Sequence, residues 1–362
     1  MRVGVDGRSL ADAGNRGVAT YLRELLFALS AAFPADELAV LVPGRRPDAP
    51  EALRTAPNVR VVRTRLPGRA LHTAGAALGS PSVDRLVGPC DVVWAPAVAP
   101  LALPRAAPLV LTVHDLSFEH RPRDFSFYER LWHRAARPRR LAARAARVIA
   151  VSEATRSELL AEWALEPERT VAVRSGPGRP AGAEAAPPAG LPSTFVLGVG
   201  ALEPRKRPDL LVEAHRRARR RGLEAGLVLA GDGSMRGRLA GDGVTELGRV
   251  SDAELDGLYR GAMVLALASR EEGFGFTPLE ALARGTPVVA VDLPAIRETA
   301  GAGALPVVGG DADALAEALL RFEREPELRR TLLAGATDAL DGLSWDRSAR
   351  ETRATLAAAC GA

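Results

Sequence analysis

The sequence predicts an α/β protein built from two doubly wound, parallel-sheet domains that face one another across a cleft. Three observations predict it. Short apolar runs alternate with longer amphipathic ones, and most of those short runs lack in/out alternation, the mark of strands covered on both faces. The pattern occurs twice, once in each half of the chain. Between the halves lies SGPGRPAGAEAAPPAGLPS, rich in proline, glycine and alanine, which reads as a connecting segment.

In order, MRVGVDG, ELAVLVP, VRVVRT, DVVWAP, PLVLTVHD and ARVIAVS read as strands of the first half. STFVLGVGA, AGLVLAGDG, AMVLALAS, TPVVAVDLP and ALPVVGG repeat the pattern in the second. The tail segments ADALAEALLRFEREPELRRTLLAGATDAL and SWDRSARETRATLAAA read as helices. The expected division is an N-terminal domain over 1–175, a linker over 176–193 and a C-terminal domain over 194–362. The last helix is a candidate to pack back on the first domain.

A length of 362 residues, 47% apolar and 25% charged, suffices for two ordinary cores. Cys90 and Cys360 fit no metal or redox spacing, which points to a reduced, cytoplasmic setting. The start reads as a strand rather than a signal peptide, and no apolar run approaches the roughly 18 to 20 residues that cross a bilayer. Of 48 basic residues Lys206 is the only lysine. The arginine bias reads as genomic base composition, so arginine-rich stretches count for less and the lysine for more.

Ligands of open parallel sheets gather beyond the carboxyl ends of strands. Unusual residues stand there: His114 and Asp115 after LVLTV, Arg205 and Lys206 after FVLGVGALEP, Gly231 to Gly233 after LVLA, and Glu272 after MVLALAS. In REEGFGFTPLEALARGTPVVAV, Thr277, Pro278 and Glu280 have the spacing of a helix N-cap, first-turn proline and capping-box glutamate. A structural role for Glu280 therefore stands beside a ligand-binding one. The unpaired N–H groups of such a helix start, beside a glycine turn, suit an anion, with a carboxylate on each side for hydroxyls. Arg205 and Lys206 are either two solvated charges or a clamp on a diphosphate. His114 is either a structural residue or a catalytic one. Gly14 and Gly17 lie in a predicted loop after the first strand, a weak phosphate-loop signal. The DAD at 311–313 caps the helix after it rather than binding metal. The stretch from His120 to Val148 carries nine arginines, two acids and Phe125, Phe127, Tyr128 and Trp132. It reads as a basic amphipathic face for anionic lipid or as a solvated helix. No recognised nucleic-acid module accompanies it.

Several of these stretches, EGFGFTPLEALARGTPVVA, GALEPRKRP, LVLAGDGSMRGRL, LGRVSDAELDGLYRGA, TVHDLSF and ARVIAVSEATRSELL, together resemble the retaining family 4 glycosyltransferases of the two-domain, Rossmann-like GT-B fold. The resemblance covers nearly the whole chain. It implies a nucleotide-sugar donor held mainly by the C-terminal domain, an acceptor on the N-terminal side, and no cofactor or metal. Glu280 would hold the donor ribose, and Glu272 the transferred sugar. Backbone groups of Gly273, Phe274, Gly275, Phe276 and Thr277 would assist. Arg205 and Lys206 would bind the diphosphate, Gly17 would lie near it, and His114 would lie by the sugar and acceptor. The base would be read largely by backbone near Arg249 and Val250. The VHDLSF and FSFYER segments resemble bacterial mannosyltransferases of lipid-linked or surface polysaccharide, which gives mannose from GDP-mannose as the expected donor. A UDP-glucose or UDP-N-acetylglucosamine enzyme is the alternative, and a noncatalytic scaffold is the alternative of another class. Peripheral contact with anionic membrane is expected through residues 121–147. The chain departs from the family in having SGPG at 175–178 where Asn-Gly-Val-Asp is usual, FTP after GFG, and LAS before the glutamates.

Overall fold

Strands in the computed structural model form two separate all-parallel sheets, one of seven strands and one of six. The structure describes residues 1–11, 16–44, 50–182, 186–239 and 241–361. The chain divides into two compact units. One comprises Met1–His120, Ser126–Gly176 and Ser344–Ala362, the other Arg121–Phe125 and Pro177–Leu343.

In the first unit the strands are β1 (Arg2–Asp6), β2 (Glu37–Pro43), β3 (Val59–Thr64), β4 (Val92–Ala95), β5 (Leu109–Val113), β6 (Arg147–Ala150) and β7 (Thr170–Ala172). Their order is β3-β2-β1-β4-β5-β6-β7. The chain winds outward from β1 to one edge, then restarts beside β1 at β4, with Val3 opposite Val92. The helix Trp345–Cys360 belongs to this unit and packs on the helix Arg16–Ala32. The ring of Trp345 lies where a Cβ on Gly176 would stand, 2.5 Å from its nearest atoms, so that position takes only glycine.

The second unit holds β8 (Phe195–Val199), β9 (Gly226–Ala230), β10 (Val244–Gly248), β11 (Val264–Leu267), β12 (Val288–Val291) and β13 (Ala304–Val307). The order β10-β9-β8-β11-β12-β13 again reverses direction beside the first strand, here between β8 and β11. Its core explains the unbroken apolar runs. Val196, Leu227, Leu229, Val264 and Ala266 pack into one cluster, while Leu197, Val228, Ala230, Leu265 and Leu267 pack into another. Alternate residues of each strand thus enter cores on opposite faces, and both must be apolar.

Two strands, β7 and β10, escape the sequence reading. Both are edge strands, and Thr170–Ala172 is three residues long while VTELG is only half-buried along most of its length. A second departure concerns the helix after GFGF. It spans Phe276–Leu282, its N-cap is Gly275 at φ 90°, and Thr277 lies inside it without capping it. Gly17 is likewise in the first turn of the helix Arg16–Ala32 rather than in a loop, and Gly14 falls outside the described residues.

Candidate functional site

The strand order reverses between β8 and β11, and the carboxyl ends of strands at such a reversal are the usual ligand position of a doubly wound sheet. The loop after β8 is fixed there by backbone. Gly200 N donates to Ala230 O at 3.1 Å and Leu202 N to Asp232 O at 3.0 Å, which ties it to the loop after β9. Glu203 accepts from Ser234 N at 2.8 Å and from Ser234 Oγ at 2.6 Å. The chain then makes the turn Pro204–Lys206, and Arg270 N, from the loop after β11, donates to Arg205 O at 3.1 Å.

Loop pairing across the switch point brings Lys206 and Glu272 together. Lys206 Nζ donates to Glu272 Oε1 at 2.5 Å, and Ser269 Oγ donates to the same oxygen at 2.7 Å. Both charged side chains are partly buried. Beside them the Arg205 side chain is half-buried and, among the described residues, has no hydrogen-bond or ion-pair partner. A partly desolvated cation lacking a counter-charge is a site for an anion. Ser269, which steadies Glu272, was not singled out in the sequence, because a serine three residues ahead of an acid has no distinctive signature.

Gly273, Phe274 and Gly275 are buried, and Phe274 and Phe276 meet edge to face at 5.2 Å. Thr299 Oγ1 donates to Phe274 O at 2.9 Å, which anchors the turn. A Cβ at Gly275 would stand 2.7 Å from Ile296 Cδ1, at a positive φ that side chains avoid.

Glu280, one turn into the helix, is 8% exposed and forms no capping box. Its Oε1 accepts from Arg179 N at 3.1 Å and its Oε2 from Tyr259 Oη at 3.2 Å, with Arg179 Nε at 3.8 Å. Burial pushes the carboxyl above its ordinary range, opposed only in part by the Arg179 N–H, the charges of Arg179 and Arg284 and the Tyr259 hydroxyl. Arg284, one turn on, donates from Nε to Asp256 Oδ1 at 2.7 Å and from Nη1 to Glu280 O at 3.0 Å. Asp256 also accepts from Arg179 Nη2 at 2.9 Å and Gly182 N at 2.7 Å. Burial raises Asp256, but Gly182 N–H, Arg179 and Arg284 together outweigh it and hold the carboxyl below its usual value. The segment expected as a linker is therefore strapped at 178–182 onto the helices that carry Glu280, Asp256 and Tyr259. A Cβ at Gly178, φ 89°, would lie 2.7 Å from Glu280 Cγ, which is the physical content of the glycine at that departure from the family motif.

Val250 is half-buried against the core, and Arg249 Nε lies 3.5 Å from Asp232 Oδ2, at the carboxyl end of β10. Asp311 caps its helix by accepting from Ala314 N at 2.8 Å, while Asp313 pairs with Arg217.

His114 and Gly17 belong to the other unit. His114 follows β5, and its Nε2–H donates to Pro96 O at 2.8 Å, leaving Nδ1 as the acceptor. Its ring meets Tyr21 edge-on at 4.9 Å. Burial lowers its pKa, opposed by the Pro96 carbonyl and Asp115, so the imidazole is neutral at pH 7. Asp115 accepts from Ser117 N and Oγ, a turn-capping role. Gly17 is exposed, and a Cβ there would meet nothing within 4 Å. The arginine-rich stretch folds as helices Phe127–Ala136 and Pro138–Arg144, broken at Arg137. Phe127 is 75% exposed, with Tyr128 and Leu131 also exposed, whereas Trp132 packs on His72. No helix among the described residues is long and apolar enough to cross a membrane.

Two family models match. Residues 15–176 match "Glycosyltransferase Family 4", and residues 185–337 match "Glycosyl transferases group 1". A D-inositol 3-phosphate glycosyltransferase of Frankia alni is 33% identical over 230 residues, covering 56% of this chain and 56% of that protein. The chain thus spans little more than half the length of the curated relatives it matches. Among solved structures, sucrose-phosphate synthase from Thermosynechococcus elongatus superposes with a TM-score of 0.72 at 22% identity, over 98% of this chain and 96% of that one. Anabaena HepE, crystallised with UDP and glucose, gives 0.67 at 18% identity, over 98% and 99%. With both halves matched by glycosyltransferase models and two Rossmann-like sheets of the GT-B kind, the chain belongs to the family 4 glycosyltransferases.

Proposed function

We propose that the protein moves a hexose from a nucleoside-diphosphate sugar to an acceptor hydroxyl with retention at the anomeric carbon. The observation that carries this is the switch point of the second unit, where Arg205, whose side chain has no partner among the described residues, stands beside the Lys206–Glu272 pair. Arg205 and Lys206 are assigned to the diphosphate, Glu272 to the sugar hydroxyls and Glu280 to the ribose. The anomeric carbon–oxygen bond to the leaving diphosphate breaks, and the acceptor oxygen bonds to the same face. The acceptor proton passes to an oxygen of the departing diphosphate, whose growing charge the two cations stabilise. Neutral His114 offers Nδ1 as a hydrogen-bond acceptor for a hydroxyl of sugar or acceptor. Positive charge from side chains takes the place of a metal ion in this reading.

Mannose from GDP-mannose remains the donor that the VHDLSF and FSFYER segments favour. A UDP-sugar donor is the second reading, supported by the HepE structure with UDP and glucose. The names of the curated relatives make D-inositol 3-phosphate a suitable acceptor to test. Exposed Phe127, Tyr128 and Leu131 beside arginines support peripheral docking on anionic lipid. Incubation of each nucleotide-sugar with D-inositol 3-phosphate and with lipid-linked saccharide, read by mass spectrometry, tests the activity. A product heavier than acceptor by one hexose, lost in Lys206→Ala, is expected. Donor turnover without any acceptor, or no turnover of any donor, contradicts it.

A further inference from the structure

Glu280 is buried, yet a carboxylate that accepts hydroxyl hydrogens must be ionised and aimed. Two groups address its oxygens directly: Tyr259 from the helix Asp252–Gly261, and the backbone N–H of Arg179. Two cations face it as well, Arg179 with Nε at 3.8 Å from Oε1, and Arg284 through Nη1 on the Glu280 carbonyl. The acids near them are Asp256, which takes Arg179 Nη2 and Arg284 Nε on one oxygen, and Asp252, 3.8 Å from Arg179 Nη1.

Arg284 is committed to Asp256 and to the carbonyls of Glu280 and Pro180, and its side chain has no exposed surface. Among the described residues Arg179 alone bridges the two carboxylates. It stands next to Gly178, whose missing side chain lets the chain pass within contact distance of Glu280. Its backbone bond to Glu280 would survive any substitution except proline, so the guanidinium can be removed without removing the N–H.

We infer that Arg179 is a positioning residue for Glu280: its guanidinium, anchored on Asp256, holds the Glu280 carboxylate ionised and oriented toward the ribose of the donor. This rests on the assignment of Glu280 to the ribose. Without that charge the burial of Glu280 is less opposed, and its carboxyl takes up a proton at higher pH. A protonated carboxyl loses one acceptor oxygen, and hydrogen bonding to the ribose weakens with it.

The test is calorimetric binding of GDP, UDP, ADP and dTDP from about pH 5 to about pH 8, upward from just above the ordinary glutamate value. The tightest-binding nucleotide is then compared with its 2′,3′-dideoxy analogue. The proteins are wild type, Arg179→Ala, Arg179→Lys and Glu280→Gln. Wild type should prefer the ribose form, and Glu280→Gln should lose that preference. Arg179→Ala should bind the ribose form about tenfold more weakly while binding the dideoxy form as wild type does. Its acid limb should also move to higher pH, and Arg179→Lys should recover part of both effects. A merely structural arginine would lower the melting temperature or weaken both nucleotides alike, and that result overturns the inference. If Glu280→Gln keeps full ribose preference, the ribose assignment fails and this inference with it. If Glu280→Gln loses the preference but Arg179→Ala keeps it and its pH profile, the inference alone fails.

Discussion

At the residue scale, Lys206 and Glu280 bear opposite relations to stability. Lys206 is partly exposed and pairs with the partly buried Glu272, so its removal leaves little buried polarity unmatched. Lys206→Ala should therefore lower kcat/KM by about 100-fold or more, the order expected for losing one charge stabiliser. Thermal melting should change little beside that loss, and comparable loss of folding and activity contradicts the site. Glu280 is different. Burial raises its pKa above that of the unfolded chain, so holding the carboxylate ionised costs stability, a cost that appears as pH rises toward and through the folded pKa. Glu280→Gln should melt no lower than wild type at pH 7 while binding nucleotide more weakly. A clear drop in melting temperature at pH 7 would show Glu280 to be structural. Glu280 and Lys206 could be singled out from sequence because each is chemically unusual in its surroundings. The partners Arg179, Asp256 and Arg284 could not, since one charged residue among so many arginines and acids carries no mark of whom it will meet, and nothing in the sequence marks the Tyr259 hydroxyl either.

At the element scale, the helix Phe276–Leu282 is held by what surrounds it rather than by a side-chain cap. The Thr-Pro-x-Glu spacing fits a helix start, yet Gly275 at φ 90° opens the helix two residues earlier. The reason is contact: Ile296 fills the space beside Gly275, and Glu280 is drawn to Arg179 and Tyr259 instead of to the helix start. Below this helix Asp256 neutralises Arg284 and Arg179. Asp256→Ala strands those cations in the interior and should cost about 3 to 5 kcal/mol, measured by urea unfolding. A cost within about 0.5 kcal/mol, as for a surface site, contradicts that. Because the folded pKa of Asp256 is depressed, its contribution is present above the ordinary aspartate range and is lost as pH falls through the folded value. The acid-side slope of wild-type stability should accordingly flatten in Asp256→Asn. The edge strands β7 and β10 mark the same limit of sequence reading. A central strand is apolar on both faces and announces itself, while an edge strand such as VTELG keeps a wet face.

At the scale of the whole molecule, the repeated alternation of apolar runs and amphipathic helices made both sheets legible, because each central strand feeds two cores. Chain return was less legible. The pattern of SWDRSARETRATLAAA marks a helix, and only as a candidate one that returns to the first domain; its Ala349, Leu356 and Ala359 are buried in the first unit and Ser348 Oγ donates to Arg174 O. Removal of residues 344–362 should destabilise that unit, seen as early loss of the hydrogen-exchange protection of β1 and β4. Unchanged protection contradicts the packing. The central claim, a nucleoside diphosphate held at the β8–β11 switch point, is tested most directly by thermal melting with GDP, UDP, ADP or dTDP on wild type and Glu280→Gln. A nucleotide at about 100 times its dissociation constant stabilises the native state by roughly 2.7 kcal/mol. The account predicts that at least one nucleotide raises the wild-type melting temperature and raises that of the variant much less. No shift with any of the four, or equal shifts in both proteins, would contradict it.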